Sequence, residues 1–130
     1  MAGSYTDYLE DKILKHVFTN TTYTPPATIY VGLFTVAPSD TGGGTEVSGT
    51  AYARQSAAFS VSGTGTTATN TANIDYPTAG SAWGTIVAVA LFDASTSGNM
   101  LAWSDLTSSR TIASGDVFRI PASGLTITQT

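Results

Sequence analysis

Residues 83–106 limit the fold of this chain most, because they predict two β-strands joined by a tight turn. Apolar residues occupy both faces of the first strand, with Ile86, Ala88, Ala90 and Phe92 alternating with Val87, Val89 and Leu91. Ser97-Gly98-Asn99 supplies the turn, and residues 100–103 return beside the first strand. Since neither face suits water, the first strand is predicted to be central, with Leu91 and Phe92 buried on opposite faces.

Shorter strands are predicted around this hairpin. Residues 28–35 are apolar on both faces and indicate a second central strand, and residues 117–120 and 125–128 indicate two short alternating strands. Residues 62–73 contain almost no large apolar group, which favours a weakly packed edge strand or a surface facing another chain. Gly, Pro, Ser and Asp separate the strands, so the chain is predicted to be mainly β. We expect an antiparallel, jelly-roll-like β-sandwich over residues 28–130.

One N-terminal α-helix is predicted to precede the sandwich, over residues 1–19, followed by an extended connector at residues 20–27. Ser4 is the expected N-cap, with Asp7 completing a motif similar to a capping box. An apolar stripe is formed at four-residue spacing by Tyr5, Leu9, Ile13 and Val17. The stripe either packs on the domain's own sheet or docks on a partner subunit, and packing within the chain's own assembly is favoured.

Composition excludes several classes of function. The chain has 130 residues and a net charge of -4, and its five basic residues are scattered among nine acidic ones, so no nucleic-acid partner is expected. No apolar stretch reaches the roughly 18 residues of a membrane helix, so no membrane partner is expected either. Charged residues make up only 11% of the chain. Such a surface is typical of permanent assemblies, which predicts a homo-oligomer.

Catalytic and metal-binding patterns are weak. His16 is the single histidine and no cysteine exists, so a triad, a metal site or a cofactor is not expected. Residues 93–99 resemble a calcium loop only faintly, because no helices flank them, and a hairpin turn is the better interpretation. Residues 38–45 are rich in glycine but lack the Gly-Lys-Ser/Thr ending of a phosphate-binding loop. The sequence therefore predicts a protein that is not an enzyme.

Arg54 is one of three arginines and follows Tyr52 after a glycine-containing turn. Its planar fork predicts a clamp on a carboxylate, either Glu46 or a carboxylate of a neighbouring chain. The alternative is an ordinary surface arginine beside its strand. The candidate interface or structural residues are Tyr5, Leu9, Ile13, Val17, Glu46, Tyr52 and Arg54.

Six segments carry a resemblance to a known family: residues 29–40 (IYVGLFTVAPSD), 46–55 (EVSGTAYARQ), 82–85 (AWGT), 90–93 (ALFD), 98–101 (GNML) and 114–116 (SGD). Together they resemble a family of small tailed-bacteriophage virion proteins, usually labelled tail fibre proteins and in some cases regarded as head decoration proteins. The resemblance implies a non-catalytic structural protein of the virion, assembled in the host cytoplasm. Its implied partners are other virion proteins, namely major capsid, neck or tail proteins.

Two roles within the virion remain open. The first is to decorate or cement the capsid, or to act as a neck or tail adaptor. The second is a tail-fibre module that binds a receptor or glycan, for which Trp83, Trp103 and Tyr52 could supply exposed aromatic rings. A fibre spans distance with long repeats or heptads, and this chain has neither. Decoration or adaptor function is therefore favoured.

Overall fold

The computed structural model describes residues 2–63 and 65–128, with side chains from Tyr5 onward. The helix α1 spans Asp7–Phe18. The strands are β1 (Ala2–Tyr5), β2 (Ile29–Val36), β3 (Thr45–Glu46), β4 (Gln55–Ala57), β5 (Phe59–Val61), β6 (Thr67–Asn70), β7 (Ile74–Asp75), β8 (Gly84–Phe92), β9 (Met100–Ile112), β10 (Arg119–Ile120) and β11 (Thr126–Thr128). The fold is mainly β with one N-terminal helix, as the sequence predicts.

The strands form two hydrogen-bonded groups, here called the first and the second ladder, and β1 pairs with a strand of each. In the first ladder β8 lies between β2 and β9, and the short strands β3 and β4 pair with β2. The second ladder has the order β11-β6-β5. The first half of β1 pairs in parallel with β11, and its second half pairs antiparallel with β9. Every other described pair is antiparallel, including β7 with β10, which agrees with the predicted β-sandwich.

Both faces of β8 are buried, so the prediction of a central strand is confirmed. Leu91 belongs to the large core cluster, which takes side chains from both ladders, and Phe92 belongs to a smaller cluster on the opposite face. The predicted strict alternation of side chains between the two faces of β8 is wrong at one place. Ile86 lies in the cluster of Leu91, whereas Val87 packs against that of Phe92. The register between β8 and β9 shifts between Ile86 and Ala88, and such irregularities re-aim side chains.

The start of the helix differs from the prediction. Thr6 is the N-cap, and its hydroxyl oxygen accepts a bond from the backbone N–H of Leu9 (3.4 Å). The same hydroxyl donates to the carbonyl oxygen of Met100 (2.6 Å), which anchors the cap to β9. Ser4 is not the cap, because it pairs with Trp103 as part of β1. Strand pairing with β9 and β11 satisfies backbone groups that an additional helical turn would have left to the solvent.

Tyr5 consequently does not lie on the helix stripe. It pairs with Ala102 in β9 and is half-buried against the large core cluster. The unit predicted as a helix over residues 1–19 is therefore a strand followed by a helix, with residue 1 outside the described residues. Within the part of the chain that the structure describes, no helix is long and apolar enough to cross a membrane.

The prediction of an edge strand within residues 62–73 is also wrong. The strand in this segment, β6, lies between β5 and β11, and β5 forms the edge. Asn70 in β6 is only 1% exposed. Its amide donates to the carbonyl oxygens of Ala72 and Pro121 (2.9 Å each) and accepts from the N–H of Leu125 (2.8 Å). Buried hydrogen bonds replace the large apolar side chains that the sequence lacks here.

Candidate functional site

A two-pronged ion pair joins Arg54 to Glu46. Nε of Arg54 lies 2.8 Å from Oε2 of Glu46, and Nη2 lies 2.8 Å from Oε1. The Arg54 side chain is 9% exposed and the Glu46 side chain 24% exposed. This is the fork-to-fork geometry of strong charge-assisted hydrogen bonds. Of the carboxylates that the sequence left open as partners, the structure selects Glu46 of the same chain.

The remaining groups of the Arg54 guanidinium hold the turn between β8 and β9. Nη1 donates to the carbonyl oxygens of Ala94 (3.0 Å) and Ser97 (2.8 Å). The guanidinium carbon lies 3.5 Å from the centre of the Phe92 ring, so its face covers the smaller core cluster. Arg54 therefore ties three separate segments together and closes one end of the sheet.

Gly32 leaves the space that the Glu46 carboxylate fills. Glu46 is opposite Phe34 in the pairing of β3 with β2, and its carboxylate lies over Gly32, two residues before Phe34 in β2. A Cβ on Gly32 would lie 2.6 Å from Oε2 of Glu46. The carboxylate is held by Arg54 and has little freedom to move away. A glycine in the middle of this central strand is therefore explained by the ion pair next to it.

Tyr52 connects the ion pair to the large core cluster. Its hydroxyl donates to Oε2 of Glu46 (2.6 Å) and accepts from the N–H of Leu33 (2.9 Å). The ring meets the edge of Trp83 at 5.5 Å between centroids and stacks on Tyr76 at 6.3 Å. Burial, and then the hydrogen bond to Glu46, raise the pKa of Tyr52 far above its usual range. The hydroxyl therefore stays protonated and remains a donor to the carboxylate.

A cleft of about 430 Å³ opens beside the ion pair, between residues 42–44, the start of α1 and the turn between β8 and β9. Phe34 and Phe92 contribute its apolar lining, and Asp40 and Glu46 contribute carboxylates. Both carboxylates accept hydrogen bonds from the protein, Asp40 from Nε1 of Trp103 at 3.0 Å. Each of these two carboxylates thus already has a hydrogen-bond partner within the chain.

Other residues singled out in the sequence have structural partners. Trp83 is 4% exposed, and its indole N–H donates to the carbonyl oxygen of Thr50 (3.1 Å). Nδ1 of His16 accepts from the backbone N–H of Tyr23 (3.1 Å). The Asp93 carboxylate accepts hydrogen bonds from the backbone N–H (2.7 Å) and the side-chain amide (2.9 Å) of Asn99. These bonds close residues 93–99 as a hairpin turn, as the sequence predicts. Because its side chain is buried and its indole N–H is already bonded, Trp83 is unsuited to binding a ligand at the surface.

The helix α1 is covered on one side only. Leu9 and Ile13 are half-buried, whereas Leu14 is 57% exposed, Val17 61% and Phe18 77%. No residue of the helix is fully buried. The predicted stripe is therefore divided: Leu9 and Ile13 in its middle are half-buried, and Val17 projects into solvent with two apolar neighbours. We call Leu14, Val17 and Phe18 the outer apolar face of α1.

Three exposed carboxylates lie close together at the start of α1. Side-chain oxygens of Asp7, Glu10 and Asp40 are all within 4.8 Å of one another. Asp7 and Glu10 are in the first helical turn, where the helix dipole favours negative charge. Asp40 is brought there by its backbone, since its carbonyl oxygen accepts from the N–H of Asp7 (2.8 Å). Exposed acidic groups of this kind do not by themselves establish a metal site. We call these three residues the acidic group.

The fold is a mainly β sandwich in which the Arg54–Glu46 ion pair is bonded within the chain and the single described helix leaves an apolar face exposed. Over residues 4–128 the chain matches the family model described as "Podophage GP4 fiber I protein gp80", and it belongs to that family. It is therefore a fibre-type structural protein of a tailed-bacteriophage virion, as the resemblance implied. A search of curated proteins found no match.

Proposed function

We propose that this chain is a non-catalytic assembly subunit of the virion, attached to another virion protein through the outer apolar face of α1. The observation that carries the proposal is the exposure of Leu14, Val17 and Phe18, which lie within five residues of one another on one helix. Burying each of these side chains fully would contribute roughly 1.5 to 3 kcal/mol. Contiguous exposed apolar patches, unlike singly scattered apolar residues, mark sites of contact with another molecule.

Within the virion, the proposed role is to decorate or cement the capsid, or to act as a neck or tail adaptor. The described chain is a single sandwich with one short helix, and it has no long repeat or heptad that would extend it over a distance. A subunit of this form suits attachment to an existing surface. The proposed partners are the major capsid, neck or tail proteins.

The non-catalytic part of the proposal is supported by the contacts of the polar groups. Arg54, Glu46 and Tyr52 are bonded to one another and to the backbone. Nδ1 of the single histidine accepts from a backbone N–H. The cluster therefore serves to hold the turn between β8 and β9 in place, and no cofactor is needed for that.

The alternative function, recognition of a receptor or glycan, has less support from the aromatic residues. Trp83 is buried, the indole N–H of Trp103 is bonded to Asp40, and the hydroxyl of Tyr52 is bonded to Glu46. Stacking on a sugar needs an exposed ring face with polar groups free beside it. We therefore retain attachment as the proposed function.

Replacing the outer apolar face by alanine, in the variant Leu14→Ala, Val17→Ala and Phe18→Ala, should leave the fold intact and abolish attachment. Alanine favours a helix, and exposed substitutions usually change stability by at most about 0.5 kcal/mol each. We expect a wild-type melting curve and at least a tenfold lower copy number in purified virions, measured by quantitative mass spectrometry.

The matched control is Val36→Ala and Val117→Ala, which removes two valines exposed by 56% and 52% elsewhere on the surface and leaves β5 unchanged. The control should be incorporated normally. Wild-type incorporation of the α1 variant would refute attachment through this helix.

We also propose that copies of the chain associate with one another through the weakly charged strands. The support is the low content of charged residues, 11%, together with the exposed Val61 on the edge strand β5. Light scattering at micromolar concentration should give a mass above the 13.4 kDa of one chain. A mass of one chain at every concentration measured would contradict self-association.

A further inference from the structure

We propose that the partner covering α1 is a different virion protein with a basic surface, and that the acidic group forms the charged part of the same contact. This inference rests on the proposed function and adds the chemistry of the partner. It commits to a protein of opposite charge as the occupant, in preference to a second copy of this chain.

Acidic and apolar residues share one side of the helix. Asp7, Glu10, Leu14 and Val17 follow one another at spacings of three, four and three residues, which places them along one side of an α-helix. All four are exposed. This side of α1 is therefore acidic at the first helical turn and apolar at the last. A partner that covers the whole helix meets both parts.

The position of Asp40 strengthens this argument. A favourable interaction with the helix dipole explains acidic residues in the first turn, as with Asp7 and Glu10. It does not require a third carboxylate from a separate loop. Asp40 is nevertheless fixed there by the bond to the N–H of Asp7 and by the indole N–H of Trp103. Three neighbouring negative charges repel one another, and a cationic surface would remove that repulsion.

A second copy of the chain is a poor source of such a surface. Of the five lysines and arginines, Lys15, Arg54 and Arg119 already form ion pairs within the described residues. Lys12 lies over the ring of Tyr8 on the helix itself, and Arg110 lies over the ring of Phe118. With nine acidic residues in each copy, a second copy would mainly add charge of the same sign. The outer side of α1 therefore fits a different, basic protein.

The test compares Glu10→Lys with the matched charge reversal Asp105→Lys. Asp105 is exposed on β9 and is not part of the helix. Both variants replace a carboxylate by a lysine, so they change the net charge equally. The probe is phage particles assembled without this chain, to which purified wild-type or variant protein is added. Binding is measured by co-sedimentation as NaCl is raised from about 0.1 to about 1 M, where the Debye length falls from about 10 to about 3 Å. Melting curves establish that each variant is folded.

We expect wild-type binding to weaken as NaCl rises. Glu10→Lys should bind at least about tenfold more weakly at low salt and lose most of the salt dependence, whereas Asp105→Lys should behave like the wild type. The alanine variant of the outer apolar face should lose affinity and retain the salt dependence of whatever binding remains.

Two results would overturn the inference. If Glu10→Lys and the wild type bind equally and with equal salt dependence, the inference of a basic partner is wrong. In that case, loss of binding by the alanine variant would still support attachment through α1. Release of bound wild-type protein by a chelator, and not by NaCl, would make the acidic group a cation site. If the alanine variant binds normally, the proposed function itself fails.

Discussion

Leu91→Asp is expected to abolish folding. Leu91 is 7% exposed within the large core cluster, and its neighbours across the strands are Val31 and Ala102. The cluster around Leu91 consists of aliphatic and aromatic side chains, so a carboxylate there must either be buried without a counter-charge or disrupt the sheet. The cost is comparable to the whole stability of a domain, about 5 to 15 kcal/mol. Circular dichroism should show no cooperative melting transition, and the protein should accumulate in the insoluble fraction.

Val61→Asp is the control for this substitution. Val61 also lies in a strand and is also apolar, but it is 65% exposed at the edge of its ladder. We expect this variant to be soluble and to melt cooperatively. A soluble, cooperatively melting Leu91→Asp variant would show that β8 is not buried on this face.

Arg54→Met is expected to lower the free energy of unfolding by about 2 to 4 kcal/mol. The substitution keeps much of the side-chain length but removes every hydrogen bond to Glu46, Ala94 and Ser97. It also leaves a carboxylate that is only 24% exposed without its cation. Urea unfolding followed by tryptophan fluorescence measures the loss, because Trp83 touches Tyr52 in the same cluster.

Arg119→Met gives a matched comparison. Arg119 pairs with Asp75, but their side chains are 58% and 50% exposed, so this pair should contribute at most about 1 kcal/mol. Combining Arg54→Met with Glu46→Gln should recover part of the stability, since the amide keeps a hydrogen bond to Tyr52 without an unpaired charge. Equal losses for Arg54→Met and Arg119→Met would contradict the structural role of the clamp.

The turn that Arg54 holds contacts the first turn of α1, and the proposed attachment uses the last turn of the same helix. Arg54 fixes the turn between β8 and β9, and Asn99 in that turn donates to the hydroxyl of Tyr8 on α1 (3.2 Å). Thr6 anchors the start of α1 to Met100, the first residue of β9. The helix is thus held at its N-terminal turn and projects its exposed C-terminal turn. An anchored helix loses less conformational freedom when a partner covers it.

Local patterns in the sequence were sufficient for the main features of the fold. Side chains alternate with period two in a strand and 3.6 in a helix, so the apolar run before Asp93 and the amphipathic run before Thr19 indicate their own secondary structure. For the same reason Leu91 and Phe92 could be assigned to opposite faces. The residue types of Arg54 and Glu46 predicted a clamp, because only a few side chains have complementary forks.

Only the tertiary structure decided which segments pair and which surfaces remain open. Ser4 has the chemistry of a helix cap, yet its backbone pairs with β9, and a strand more than 90 positions away leaves no local trace in the sequence. The same holds for the register shift after Ile86 and for the two neighbours of β6. Long-range backbone hydrogen bonds are alike for every residue type, so many strand pairings are compatible with one pattern. The exposure of one side of α1, from which the partner is inferred, depends on those pairings and could be seen only once they were formed.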